Sequence, residues 1–157
     1  MDATADTNAY KPAALVGRRL LSLLYDLLPV MALWFLAAVP FVLLDVAVSG
    51  DVRHNIGPFS LLQWLLWLAC WIVTGLYATI SWRRGGQTLG MRPWRLRIVA
   101  GDGSVPTHGA LWLRYVVGTV SLLAAGLGFW WAWVDRGRLA WHDRASGTRV
   151  VRVPKQD

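Results

Sequence analysis

The chain has 157 residues, of which 55% are hydrophobic and only 16% charged, with a formal net charge of +7. A water-facing domain carries about 25% charged residues, so this composition excludes an ordinary soluble surface. Eleven tryptophans point to a bilayer, since indoles collect at membrane interfaces, and the basic residues flank hydrophobic runs, which argues for lipid contact and against nucleic acid.

Residues 1–14 are small and polar and are expected to form a disordered cytoplasmic tail. Arg18-Arg19 ahead of an apolar run is similar to an export signal. The run is about twice as long as a signal core and contains an acid, so it is expected to be an anchored span. This first span covers about residues 20–44, enough to cross the hydrocarbon as a helix. Asp26 interrupts it. An acid at that depth costs about 2.5–3.5 kcal/mol on insertion scales, which demands a partner or a task. Arg19 precedes Asp26 by nearly two helical turns and shares its face, which makes it the expected counterpart; Arg114, from a later segment, is the other candidate. Pro29 and Pro40 are expected to kink the span, with Pro29 freeing a backbone carbonyl near the carboxylate.

Residues 45–58, with Asp45, Asp51, Arg53 and His54, are expected to form a polar loop, and a second span follows over about 59–82. Within it Gln63, Trp67, Cys70, Thr74, Tyr77 and Ser81 recur at alternating spacings of four and three, one helical stripe. Its polar atoms suit helix packing, with a ligand pathway as the rival reading, while Leu62, Leu65, Leu66, Leu68 and Ile72 mainly face lipid. Cys70, the single cysteine, permits no internal disulfide.

A basic linker spans 83–108. Residues 94–99 alternate apolar and polar up to the Asp102-Gly103 turn signal, and residues 148–153 have the same strand chemistry, so a small cytoplasmic β-pairing is expected. The third hydrophobic segment, about 110–134, is either one span or a hairpin or re-entrant segment broken at Gly126-Leu127-Gly128. Lysine plus arginine counts are three before the first span, one in the loop, five in the linker and six after Val134. The positive-inside rule therefore places the amino terminus and linker in the cytoplasm, and a hairpin returns the basic carboxy terminus there too. Gly118, Ser121, Ala125 and Gly128 form a stripe of small residues suited to close helix contact. The expected architecture is an all-α membrane protein with one domain over 15–153 and a short tail at 154–157.

These residues carry a family resemblance. Gly17-Arg18-Arg19 with Asp26, Gly86-Gln87-Thr88-Leu89-Gly90 followed by Leu96–Val99, Arg114, and His142-Asp143 through Val151 together resemble the RDD family of bacterial integral membrane proteins, over about residues 15–153. The resemblance implies one arginine and two aspartates of note, here Arg19, Asp26 and Asp143, with Arg18 as an extra neighbour. It also implies a bacterial inner-membrane location and a suspected role in transport, with cation/proton antiport proposed for some members.

Two functions from different classes are expected to compete. In one, Arg19, Asp26, Arg114, Asp143 and His142 form a network that handles a proton or monovalent cation. Three or four short helices enclose no path alone, so transport implies a homo-oligomer. In the other, the same charges only fix helix assembly, with Asp143 capping a turn or pairing with Arg19, Arg92 or Arg114, or they make a contact with a partner or anionic lipid headgroups. His108, His142 and Asp143 match no zinc or iron spacing, Gly86–Gly90 lacks the phosphate-loop pattern, and no nucleophile elbow occurs; neither an enzyme nor a cofactor site is expected.

Overall fold

The computed structural model describes residues 14–52 and 55–153; the two expected tails, apart from Ala14, and Arg53 and His54 of the loop lie outside it. Helix α1 (Val16–Ser49) and helix α2 (Leu61–Gly85) are both long and apolar enough to cross a membrane. Strand β1 (Leu96–Ala100), helix α3 (His108–Leu123), helix α4 (Leu127–Val134), helix α5 (Trp141–Ser146) and strand β2 (Thr148–Arg152) complete the chain.

Helix α1 runs as one element through Pro29 and Pro40 and carries Asp45 with it, so the expected loop starts later than the first charge. Val46–Val48 prolong the apolar run, and Gly50 ends it in the left-handed region, its N–H reaching Val46 O at 2.9 Å. Helix α2 starts on Ser60, whose hydroxyl accepts from the Gln63 N–H, and ends on Gly86, also left-handed.

Helices α3 and α4 together are apolar enough for a span but bend by 99° at the break over 124–126. A break is found where one was expected, but it lies two residues earlier, with Gly126 in the left-handed region at its end and Leu127 and Gly128 already in α4. Helix α5 then packs back on α3, and β2 pairs antiparallel with β1, Leu96 opposite Arg152 and Ala100 opposite Thr148. The β-pairing brings the residues before α3 beside those after α5, so the segment between them goes out and comes back.

The apolar core is small and lies at the sheet. Met91, Leu96, Ile98 and Leu111 form one buried cluster, flanked by Trp82, Trp94 and Val150; Val16, Ala132 and Ala140 form another with Ala14. Elsewhere the long helices turn large apolar side chains outward, with Leu28 76% and Phe35 72% exposed. In water such a surface would be untenable; in a bilayer it is the solvated face. Leu65, Leu68 and Ile72 are exposed as expected, whereas Leu62 and Leu66 are half-buried.

Candidate functional site

The two intramolecular aspartates named by the sequence occupy different environments. Asp143 opens α5, where its Oδ2 accepts from the Ala140 N–H at 2.9 Å and so caps the helix. The same oxygen receives Arg19 Nη1 at 2.6 Å, and Oδ1 receives Arg114 Nη1 at 2.5 Å. Arg114 also donates to Thr148 Oγ1 at 2.7 Å, and its guanidinium lies 5.7 Å from the centre of the Trp82 ring. One carboxylate thus ties α1, α3, α5 and the start of β2 together. All three charged side chains are at most 5% exposed.

Burial pushes the Asp143 carboxyl up, but the Arg114 and Arg19 guanidiniums outweigh it and hold the group below the usual carboxylate range. Asp143 is therefore ionised at any physiological pH. His142 is driven the other way from a useful base: burial first, then Arg114, bring it from 6.5 to about 3 despite the attraction of Asp143. Its ring packs against Phe129 at a tilt of 55°, with ring centroids 4.7 Å apart.

Asp26 is buried too, but the expected Arg19–Asp26 pair does not form. Among the described residues no arginine, lysine or histidine nitrogen makes an ion pair with it. Its Oδ1 accepts from Tyr77 Oη at 2.7 Å and from the Gly90 N–H at 2.9 Å, and its Oδ2 accepts from Thr88 Oγ1 at 2.5 Å. The physical reason is reach. Arg19 and Asp26 lie about 10 Å apart along the axis, and Arg19 turns toward α5, where a carboxylate arrives at contact distance. Neutral donors from α2 and from the turn after it satisfy Asp26 instead.

Gly90 permits that turn. A Cβ there would meet the Ser22 carbonyl oxygen and come within 2.6 Å of Asp26 Cγ. Tyr77 Oη also accepts from the Leu89 N–H at 3.1 Å, so the 88–90 turn is pinned to both α1 and α2.

The expected stripe of α2 is divided. Thr74 accepts from Trp34 Nε1 at 2.8 Å and Tyr77 reaches Asp26, so these two face α1. Gln63 accepts from the Phe59 N–H at 2.6 Å at the far end, and Trp67 is exposed. Cys70 and Ser81 are half-buried and contribute no side chain to either aspartate. The face toward α3 is carried by Trp71 and Gly75, with Tyr115 Oη donating to the Trp71 carbonyl at 2.7 Å. Within the small-residue stripe, Ser121 and Gly128 pack against each other and Gly118 faces open space. Thr88, Gly90, Trp82 and Thr148 are site residues that reasoning by helical period misses; the first two lie inside the Gly86–Gly90 signature.

Asp26 lines a half-open cavity of about 330 Å³ bounded chiefly by α1, α2 and α3. Asp26, Tyr77, Thr88, Arg19, Arg114 and His142 line it directly. Among the described residues no group of three or more histidines, cysteines or acids is placed to hold a metal ion.

No curated protein and no solved structure matches the chain. The model of the RDD family matches residues 13–147, a stretch that holds Arg19, Asp26, Thr88, Gly90, Arg114 and Asp143 and ends just before β2. With that match over most of its length and two apolar helices fit to cross a bilayer, the chain is a membrane protein belonging to the RDD family.

Proposed function

We propose that this chain is a small multi-pass protein of the bacterial inner membrane whose charged residues act first as an assembly lock. The observation that carries the reading is the single carboxylate of Asp143 held by Arg19 and Arg114, from three separate helices. A charge so placed is costly to bury alone, and removing one partner from such a cluster costs about 3–5 kcal/mol. The lock therefore sets how α3, α4 and α5 return to α1. Both termini lie in the cytoplasm in this reading, beside exposed Arg83, Arg84, Arg92, Arg97 and Arg152, which meet anionic lipid headgroups or a partner protein. The test is thermal unfolding of the purified protein in detergent. Asp143→Asn should lose that order of stability, as should Arg114→Gln; an unchanged midpoint for both would remove the lock.

A second reading rests on Asp26. It lines the cavity and has only neutral donors around it, which is the arrangement a proton- or monovalent-cation-binding carboxylate needs. Transport through so small a bundle would use a homo-oligomer. In proteoliposomes loaded with a pH dye, a sodium, potassium or lithium gradient should move protons in the wild type and not in Asp26→Asn. Silence of the wild type across that panel would dismiss transport and leave the lock untouched.

A further inference from the structure

Helix α1 packs along α2 and α2 along α3, while α1 and α3 stand apart across the 330 Å³ cavity. That volume falls within the range of small-ligand sites, about 300–1,000 Å³. The cavity is polarised along its length. On α1 its wall runs from Arg19 to Trp34, about 22 Å at the helical rise. One end holds Arg19, Ser22, Asp26 and Thr88; toward the other the wall turns to Leu27, Val30 and Leu122, beside Trp34, Thr74 and Thr119, whose polar atoms already bond within the protein. Gly118 lines it, and a Cβ there would meet nothing within 4 Å.

Two further facts define what fits. The surface that the wall shows to the cavity is almost wholly apolar, and the unpartnered nitrogens of its residues, Arg19 Nε, Trp82 Nε1 and His142 Nδ1, are sealed within the protein and offer it no donor. The charges at the same end, Arg19 and Arg114 against Asp26 and Asp143, sum to zero, so an ionic head would bring an uncompensated charge into a low-dielectric site. We propose that the cavity is a binding site for an uncharged amphiphile from the bilayer, its hydrocarbon chain lying between α1 and α3 and its small uncharged polar head at the end that holds Arg19, Asp26 and Thr88.

The inference stands apart from both readings above, because it is tested by occupancy and not by flux or by the stability of the lock. The full-length protein in nanodiscs is exposed to three photoactivatable probes with the same chain: a monoacylglycerol, a fatty acid and an alkylammonium. Labelled residues are then mapped by mass spectrometry. The monoacylglycerol should label Leu27, Val30 and Leu122 saturably, and about tenfold more efficiently than either charged probe. Gly118→Leu should fill the space and abolish that labelling while outward-facing Leu28 and Phe35 are still labelled and the unfolding midpoint is kept. Labelling that never saturates, that prefers a charged head, or that survives in folded Gly118→Leu overturns the proposal. If Gly118→Leu does not fold, saturation and the head preference together decide.

Discussion

Asp26 and Asp143 are both buried, and a membrane would penalise both, yet the chain satisfies them by different means. Asp143 is matched by charge, Asp26 by three neutral donors. Gly90 is the sharpest test of the second arrangement. Gly90→Ala places a methyl against the Ser22 carbonyl and the Asp26 main chain, so the 88–90 turn must lift and Asp26 loses two donors. We expect a loss of about 2–4 kcal/mol in detergent unfolding, in line with a buried acceptor stripped of partners; a loss below about 0.5 kcal/mol would mean the turn does not hold Asp26. His142 makes a pH prediction. Its native value is about 3 against 6.5 when unfolded, so between those pH values the unfolded chain binds the proton and stability falls as pH falls. Asp143 works in a lower window: its depressed native value means its contribution is intact above the ordinary carboxylate range and is lost only below it. The unfolding midpoint should therefore decline from pH 6.5 to pH 4.5 in the wild type. In His142→Phe that decline should be shallower, and parallel pH profiles for the two proteins would refute the assignment.

Helices α2 and α3 meet at Gly75, where a Cβ would lie 2.6 Å from Trp112 Cζ3 and 2.8 Å from Tyr115 Cε1. The absent side chain is what lets two aromatic rings cross the interface. Gly75→Leu should force the helices apart, costing more than about 2 kcal/mol by overpacking. Thr74→Val, on the face toward α1, removes the bond from Trp34 together with the hydroxyl's bond to the Cys70 carbonyl one turn back, and the interhelical one should cost about 0.6 kcal/mol, the average for such bonds in membranes. Unfolding in detergent ranks the two. The reverse order would show that α2 is held by its contact with α1. The α2 stripe also shows how far helical period carries. Spacing of four and three identifies one face of a cylinder, but a helix packed against two neighbours has two buried faces. Trp71, Gly75 and Thr79 belong to the second, and nothing in their residue types marks them out.

The β1–β2 pairing carries the topology of the whole chain, because it places the residues on either side of the α3–α4–α5 segment in one sheet. If α1 and α2 cross and the sheet lies in the cytoplasm, reporters inserted after Gly103 and fused after Asp157 should both read as cytoplasmic. One inserted near Gly50 should read as periplasmic. A periplasmic reading after Asp157 would require α3–α4 to cross once and would separate β2 from β1.

Much of this was open to reading from composition and order alone. Two long apolar runs, a break beside Gly126, the two strand-like hexamers and the RDD signatures all rest on local chemistry: hydropathy, period and turn residues act within a few positions of one another. Partner choice does not. Arg19 can face either aspartate from the same helical position, and only the docking of α5 against α1 and α3 brings Asp143 within 2.6 Å of it, leaving Asp26 to Tyr77, Thr88 and Gly90. Which charges meet depends on contacts between residues as much as 124 positions apart, a separation at which no spacing rule operates.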